Sequence, residues 1–158
     1  MTPKVESIGP YLEPLRKSIR VRCGVHAAFR VFTERIGDWW PLAGGYSVFG
    51  ANAETCRIEP APGGAILEIA RDGRQSVWGR VIDWEPPHRV SFSWHPGRTE
   101  DTAQTVELRF TGDGAETQVE LEHRDWQKLG DQAAPMREGY SAGWDAVLAI
   151  YAGAAQEE

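Results

Sequence analysis

Residues 135–151, PMREGYSAGWDAVLAIY, decide the fold. Apolar side chains recur there every three or four positions, so they share one face of an α-helix. No other segment is long enough to be the main helix of a domain this size. The stretch therefore predicts a long amphipathic helix, and the rest of the chain must supply the surface that it covers. The face consists of Met136, Tyr140, Trp144, Val147, Leu148 and Tyr151.

The chain before this helix is dominated by short segments in which apolar and polar residues alternate. They end in turn signals, of which Asp72-Gly73 is the strongest hairpin signal. Short connections favour antiparallel neighbours, and alternation predicts a sheet with one wet face and one face that the helix covers. The predicted strands are 54–59, 65–70, 75–85, 89–95, 103–111 and 116–124.

The first third of the chain predicts one strand and one short helix. Residues 1–13 lack periodicity and form an irregular lead-in, and a single domain is expected over 14–155. Residues 15–23 alternate as a first strand, and 26–36 carry apolar side chains at helical spacing. Trp39 and Trp40 are adjacent and cannot face the same way, so they predict a corner that anchors the short helix.

The composition restricts the partners. A net charge of −6 in 158 residues argues against nucleic acid, which needs clustered Lys and Arg. No apolar run approaches a membrane span or a secretory signal, so a cytoplasmic protein is expected. Cys23 and Cys56 are far apart in the sequence, which favours two reduced thiols without excluding a disulfide. The isolated cysteines and the spacing of the histidines predict no metal, and no cofactor motif is found.

Six local motifs occur in a characteristic order along the chain. Together with the order of elements they resemble the helix-grip fold of the START and birch-pollen-allergen-like superfamily, also called SRPBCC, and within it the heat-shock-protein-90 ATPase activator-like branch. The motifs are AFRVFTE at 28–34, WGxV at 78–81 running into WEPP at 84–87, RVxFxW at 89–94, VELxFT at 106–111, LEH at 121–123 and GWxxVL at 143–148.

The resemblance implies an α+β fold, in which a curved seven-stranded antiparallel sheet wraps around the long C-terminal helix, with a short helical corner after strand 1. In such proteins a cavity between helix and sheet often holds a hydrophobic small molecule, and a few members catalyse cyclisation or hydrolysis. The eukaryotic chaperone activator has an additional N-terminal domain, for which these 158 residues leave no room.

Seven tryptophans are the most distinctive feature of the composition. Core packing by itself would explain Trp39, Trp78 and Trp84, whereas aromatic rings with polar tips are typical of ligand sites. We expect the ligand-binding residues to come from the following set, with no catalytic residue assigned: Trp40, Trp78, Phe92, Trp94, Phe110, His123, Trp126, Tyr140 and Trp144.

His123 is the main polar candidate for the covered side of the sheet, because it lies on the same strand face as two apolar residues, Val119 and Leu121. Asp125 would orient its imidazole if the strand continues, and the alternative is a buried neutral histidine held by hydrogen bonds. His95 is expected to be exposed, since it alternates with the inward-facing Trp94. Gly139 and Gly143 indicate either a close approach of another segment to the helix or a weak, kinked helix.

Three functions follow from these observations. The leading hypothesis is a domain that binds an apolar or aromatic small molecule. The alternatives are a cyclase- or hydratase-type enzyme using His123 with Asp125 or Tyr140, and a chaperone-interacting protein. The last would need an exposed apolar patch near Trp39-Trp40 or in the loop 44–51. An exposed edge strand would also allow two copies to pair as a homodimer.

Overall fold

The computed structural model describes residues 11–157, with seven strands and two α-helices. The predicted lead-in lies almost wholly outside this range, and the predicted domain limits stay a prediction. The elements are β1 (Leu15–Val21), α1 (Val25–Phe32), β2 (Ala53–Ile58), β3 (Ala65–Ala70), β4 (Gln75–Glu85), β5 (Arg89–Trp94), β6 (Gln104–Asp113), β7 (Glu116–Arg124) and α2 (Ala133–Ala155).

All seven strands form one curved antiparallel sheet in the order β1-β7-β6-β5-β4-β3-β2. Strands β2 to β7 are a meander, and β1 closes the far edge against β7 with Ile19 opposite Val119. The long helix α2 covers the concave face, so the predicted helix-grip architecture is confirmed. β1 and β2 are the two edges, and pairing of two copies through an edge stays a prediction.

The predicted elements are all present, but both helix boundaries differ. The final helix has 23 residues, because it begins two residues before Pro135 and continues to Ala155. The short helix ends at Phe32 rather than 36, where the Thr33 hydroxyl donates to the Phe29 carbonyl at 2.7 Å. A single 3-10 turn, Ile36–Asp38, then leads into the tryptophan pair.

The adjacent Trp39 and Trp40 divide the interior into two halves. Trp39 packs on Phe32 and Tyr151 at centroid distances of 5.3 Å each, in the half under α1. Trp40 faces the other way, 5.3 Å from Trp78. The corner was predicted, and the structure adds that it joins the two halves of the core.

Strand β4 places an inward side chain at every third residue instead of every second. Trp78, Val81 and Trp84 face the interior. The reason is two shifts in the strand register, one at Trp78 against β3 and one at Ile82 against β5. Such bulges re-aim side chains locally. At the first bulge a Cβ on Gly79 would stand 1.7 Å from the Ser93 carbonyl oxygen, so only glycine fits there.

The outer face of the sheet is polar along β1, β5, β6 and β7. Glu107 accepts from Arg89 at 3.1 Å and from Arg124 at 3.0 Å, and Arg16 pairs with Glu122 at 3.2 Å. The predicted wet side is therefore present. Strand β3 departs from the pattern, because all its residues except Ile69 are buried.

Candidate functional site

A cavity of about 480 Å³ lies between α2, the loop 45–48 and the turn 96–97. Its size falls within the range of about 300–1,000 Å³ typical of small-molecule sites. Its walls are mostly aromatic and aliphatic, and none of the described lining residues carries a carboxylate. They are Trp40, Gly45, Tyr46, Ser47, Val48, Trp78, Trp94, Pro96, Gly97, Pro135, Met136, Gly139, Tyr140, Gly143, Trp144 and Val147.

The four tryptophans of this cavity present carbon surface only, because each indole N–H already donates to a protein acceptor. Trp40 donates to the Tyr46 carbonyl at 2.9 Å, and Trp78 donates to Glu68 at 3.1 Å. Trp94 donates to the Tyr140 hydroxyl at 3.1 Å, and Trp144 donates to His123 at 3.0 Å. An indole has no second polar hydrogen, so these rings offer a ligand apolar and π contacts.

Tyr140 supplies a polar hydrogen that stays available on the α2 side of the cavity. Its oxygen accepts from Trp94, and no described residue accepts from its hydroxyl. Burial raises the pKa of Tyr140 above its ordinary value, although Trp94 and the charge of Arg98 act in the opposite direction. The hydroxyl is therefore protonated at neutral pH and can donate to an oxygen acceptor in the cavity.

The loop wall of the cavity is held by a fully buried carboxylate, Glu68. Its two oxygens accept from the backbone N–H groups of Val48 and Phe49 at 2.6 and 2.9 Å, and from Trp78. Cys56 lies opposite Glu68 in the neighbouring strand, and burial, together with the Glu68 charge, raises the pKa of its thiol to about 12. The thiol is therefore protonated and unreactive at neutral pH.

Gly139 and Gly143 of α2 border the cavity. The sequence indicates either a close approach of another segment or a weak, kinked helix, and the two positions differ. A Cβ at Gly143 would lie 3.4 Å from the Tyr46 ring, so a loop does approach the helix there. A Cβ at Gly139 would meet nothing within 4 Å. The helix runs through both without interruption. Gly139 therefore leaves open space at the edge of the cavity.

The structure brings five of the nine predicted site residues to the cavity. These five are Trp40, Trp78, Trp94, Tyr140 and Trp144. Phe92 is buried beneath Trp94, and Phe110 lies in the other half of the core, 5.2 Å from Phe29. His123 and Trp126 stack on each other at 4.0 Å behind Tyr140. None of these last four lines the cavity, and a ligand-binding role for the nine stays a prediction.

His123 has no nitrogen left for acid–base chemistry. Trp144 can only donate, so Nδ1 of His123 accepts and its proton resides on Nε2. Nε2 then donates to the side-chain oxygen of Gln104 at 3.1 Å. Asp125 does not orient the imidazole as predicted, because the strand ends at Arg124 and the Asp125 carboxylate accepts from Thr105 at 2.6 Å. The structure thus favours the buried neutral histidine.

Burial lowers the pKa of His123 from 6.5 to about 3, which makes folding sensitive to acid. The unfolded chain binds a proton at this residue below pH 6.5 and the folded chain does not. The free energy of unfolding is therefore unaffected by the titration of this residue above pH 6.5. As the pH falls from 6.5 towards 3, protonation of His123 in the unfolded chain lowers that free energy by about 1.4 kcal/mol per pH unit. We expect the unfolding free energy of His123→Gln to depend less steeply on pH between 6.5 and 4.

Urea unfolding at several pH values measures this slope. His88→Gln, at an exposed turn position, is the control and should keep the slope of the wild type. Carboxylates contribute equally to all three proteins, so only the difference in slope matters. Equal slopes for wild type and His123→Gln would contradict a neutral His123 in the folded state.

The expected exposure of His95 is wrong, and one of the two places suggested for an exposed apolar patch is buried. His95 is buried at 5% exposure, because β5 ends at Trp94 and the next residues fold back, with His95 N–H donating to the Trp78 carbonyl at 2.6 Å. Trp39 and Trp40 are buried as well, so they form no exposed apolar patch. The large exposed apolar side chains of the described residues are Tyr11, Val48, Ile82 and Ile150.

Several residues of the site were not predicted. Met136 belongs to the predicted inward face of the helix. It lies one turn before Tyr140, and this spacing indicates that it could line the same site. Glu68 had a signal too, as the one charged residue in an otherwise apolar strand. Tyr46, Ser47 and Val48 lie in an irregular loop, where no periodicity indicates which side chains face inwards.

Two searches of residues 11–157 concern other classes of function. No helix in this range is both long and apolar enough to cross a lipid bilayer. No group of three or more His, Cys, Asp or Glu side chains in the same range could hold a metal ion.

A family model described as activator of Hsp90 ATPase homolog 1-like protein matches residues 24–152. No curated protein is significantly similar to the chain. Among solved structures, an anthrahydroquino-γ-pyrone synthase is 34% identical, with a TM-score of 0.56, and the match covers 78% of this chain and 83% of the synthase.

Two more distant structures share the fold. CalC, a self-sacrificing resistance protein from Micromonospora echinospora, is 23% identical, with a TM-score of 0.66 and coverage of 94% of this chain and 95% of CalC. A protein from Mesorhizobium loti is 14% identical, with a TM-score of 0.65 and coverage of 89% and 95%. At these identities the similarity concerns the fold alone.

Proposed function

Because this chain belongs to the activator of Hsp90 ATPase homolog 1-like family of the SRPBCC superfamily, we propose that it binds a planar aromatic small molecule between α2 and the sheet. The observation that carries the proposal is the aromatic cavity of about 480 Å³. Flat carbon walls with the free Tyr140 hydroxyl beside them suit a fused-ring molecule better than a flexible or highly polar one.

The arrangement of the rings supports a planar occupant. Trp94 and Trp144 lie 5.7 Å apart, and Tyr140 and Trp144 lie 6.4 Å apart at an interplanar angle of 26°. Ligand rings can pack on these walls face-on or edge-on. The 34% identical relative is named for an anthrahydroquino-γ-pyrone, which is a fused-ring aromatic molecule. That name agrees with the chemistry of the walls.

Filling the cavity from Gly139 tests the proposal. The probes are naphthalene-2-carboxamide and 9,10-anthraquinone, with octanamide as an aliphatic comparison. We expect the aromatic probes to quench tryptophan fluorescence saturably, with a Kd on the order of 10–100 μM for molecules this small. Gly139→Leu should weaken that binding at least about tenfold, because the new side chain enters the open space.

The matched control is Gly153→Leu in the same helix. A Cβ at Gly153 also meets nothing within 4 Å, but Gly153 does not line the cavity. Both variants gain helix propensity, so neither should unfold. Native mass spectrometry counts the bound probe. If no aromatic probe binds the wild type, or if Gly139→Leu binds as tightly as Gly153→Leu, the proposal is wrong.

An enzymatic role is the second candidate, because the 34% identical relative is named a synthase. Tyr140 is then the residue that would act, since its hydroxyl can donate to a carbonyl oxygen of a bound molecule, whereas both His123 nitrogens are engaged. The same mass spectra report any change in the mass of a bound probe. Contact with a chaperone stays a prediction.

A further inference from the structure

The mouth of the cavity carries a positive charge that the rest of the site leaves unused. Arg98 follows the lining residue Gly97, and its Nη2 lies 3.6 Å from Sδ of the lining residue Met136. The turn is held from both ends: Arg98 N–H donates to the His95 carbonyl at 2.8 Å, and Nδ1 of His95 donates to the Arg98 carbonyl at 3.1 Å. The guanidinium is thus positioned beside α2.

No carboxylate within residues 11–157 forms an ion pair with Arg98. The two nearest in sequence have other partners: Glu100 lies 4.0 Å from Arg80, and Asp101 accepts from the Thr99 hydroxyl. The cavity walls add no negative charge. In a protein with a net charge of −6, a cation at a pocket mouth that forms no ion pair with a carboxylate is a local exception to the overall sign.

The guanidinium and the free hydroxyl are close together. Met136 and Tyr140 are one helical turn apart, so they share a face of α2. The charge of Arg98 also acts on the Tyr140 hydroxyl, where it favours the phenolate, although burial outweighs it. An oxygen atom of a ligand can therefore accept from Tyr140 while its negative charge faces Arg98.

We propose that the ligand is an aromatic acid, whose rings pack against the tryptophan wall of the cavity while its carboxylate or equivalent oxyanion accepts from Tyr140 and pairs with Arg98. This inference rests on the proposed function, because it assumes that the cavity binds an aromatic molecule. It adds the charge of the ligand and its orientation, with the acidic end towards the turn 95–98.

The opposite charge is the main rival, since boxes of aromatic rings also bind quaternary ammonium groups. Such sites hold the cation over the faces of tryptophan and tyrosine. Here Arg98 would repel a cation, and no lining carboxylate would offset that repulsion. The electrostatics at the mouth therefore favour an anion.

Three probes with the same ring system separate these cases: naphthalene-2-carboxylate, naphthalene-2-carboxamide and naphthalen-2-yltrimethylammonium. Isothermal titration calorimetry at pH 7.5 is the measurement. We expect the carboxylate to bind at least about fivefold more tightly than the carboxamide, and the ammonium compound most weakly. Raising the salt from about 0.05 to 0.5 M should reduce the advantage of the carboxylate, because exposed charges are screened.

Two variants identify the groups responsible. Arg98→Gln should weaken carboxylate binding about three- to fivefold and leave carboxamide binding within about twofold. Tyr140→Phe should weaken carboxylate binding about tenfold or more, because a hydrogen bond to a charged group is lost. Arg57→Gln, on the exposed side of the edge strand β2, is the control and should change neither.

Each outcome has one meaning. If the carboxamide binds as well as the carboxylate, or if Arg98→Gln leaves the preference for the carboxylate unchanged, the charge of Arg98 does not select the ligand and this inference is wrong, while the proposed function stands. If the ammonium compound binds most tightly, the cation-binding alternative replaces it. If no probe binds at all, the proposed function fails and the inference fails with it.

Discussion

Gly79→Ala is expected to lower the unfolding free energy by at least about 3 kcal/mol. The added Cβ would lie 1.7 Å from the Ser93 carbonyl oxygen and 2.6 Å from its carbon. Both are backbone atoms of the paired strand β5, so no rotamer change relieves the overlap. Strands β4 and β5 must separate locally, which also disturbs the bond from His95 N–H to the Trp78 carbonyl.

Urea unfolding followed by tryptophan fluorescence measures this change, with circular dichroism as a second probe of two-state behaviour. Gly139→Ala is the matched control, because it adds the same methyl group where nothing lies within 4 Å. The control should leave the protein as stable as the wild type or stabilise it by up to about 1 kcal/mol. If both variants lose the same small amount, the close approach at Gly79 is not the cause.

Glu68→Gln is the second large effect that we expect, at about 3 kcal/mol of lost stability. Three N–H donors, from Val48, Phe49 and Trp78, converge on the two carboxylate oxygens. A glutamine has one oxygen, and its amide NH₂ would face at least one of these donors in either orientation. A buried donor would then lose its acceptor, and the loop that forms one wall of the cavity would be released.

Two measurements are needed for Glu68→Gln. Urea unfolding gives the stability, and titration with naphthalene-2-carboxamide reports the cavity wall, where we expect weaker binding. Glu54→Gln on the exposed side of β2 makes the same chemical change without buried donors and should lose less than about 0.5 kcal/mol. A loss below about 1 kcal/mol in Glu68→Gln would show that the loop does not depend on this carboxylate.

The candidate site was predicted in part, and the reason differs from residue to residue. Trp94 shares its strand face with Val90 and Phe92, and Tyr140 and Trp144 lie on one helix stripe, so local spacing predicts their inward direction. Phe110 has an equally clear pattern, yet it lies in the other half of the core. Periodicity indicates that a side chain faces the interior without indicating whether that interior is filled.

His123 shows the same limit for a polar residue. Its place in the alternation predicts burial, which is confirmed at 0% exposure. Its partners, Trp144 and Gln104, are 21 and 19 residues away in the sequence, so no local pattern could predict that both nitrogens are engaged. Arg98 and Met136 are 38 residues apart, and the charge at the cavity mouth could not be predicted for the same reason.

The sequence by itself determined the order of the elements, the one-sided strands and the amphipathic stripe of residues 135–151. These depend on the 3.6- and 2-residue periods of the backbone, which are properties of neighbouring residues. The tertiary structure decided where the cavity lies, because a cavity is the space that long-range packing leaves unfilled. It depends on bulges in β4, on a loop held by Glu68 and on two glycines of α2 that remove side chains from one edge of that stripe.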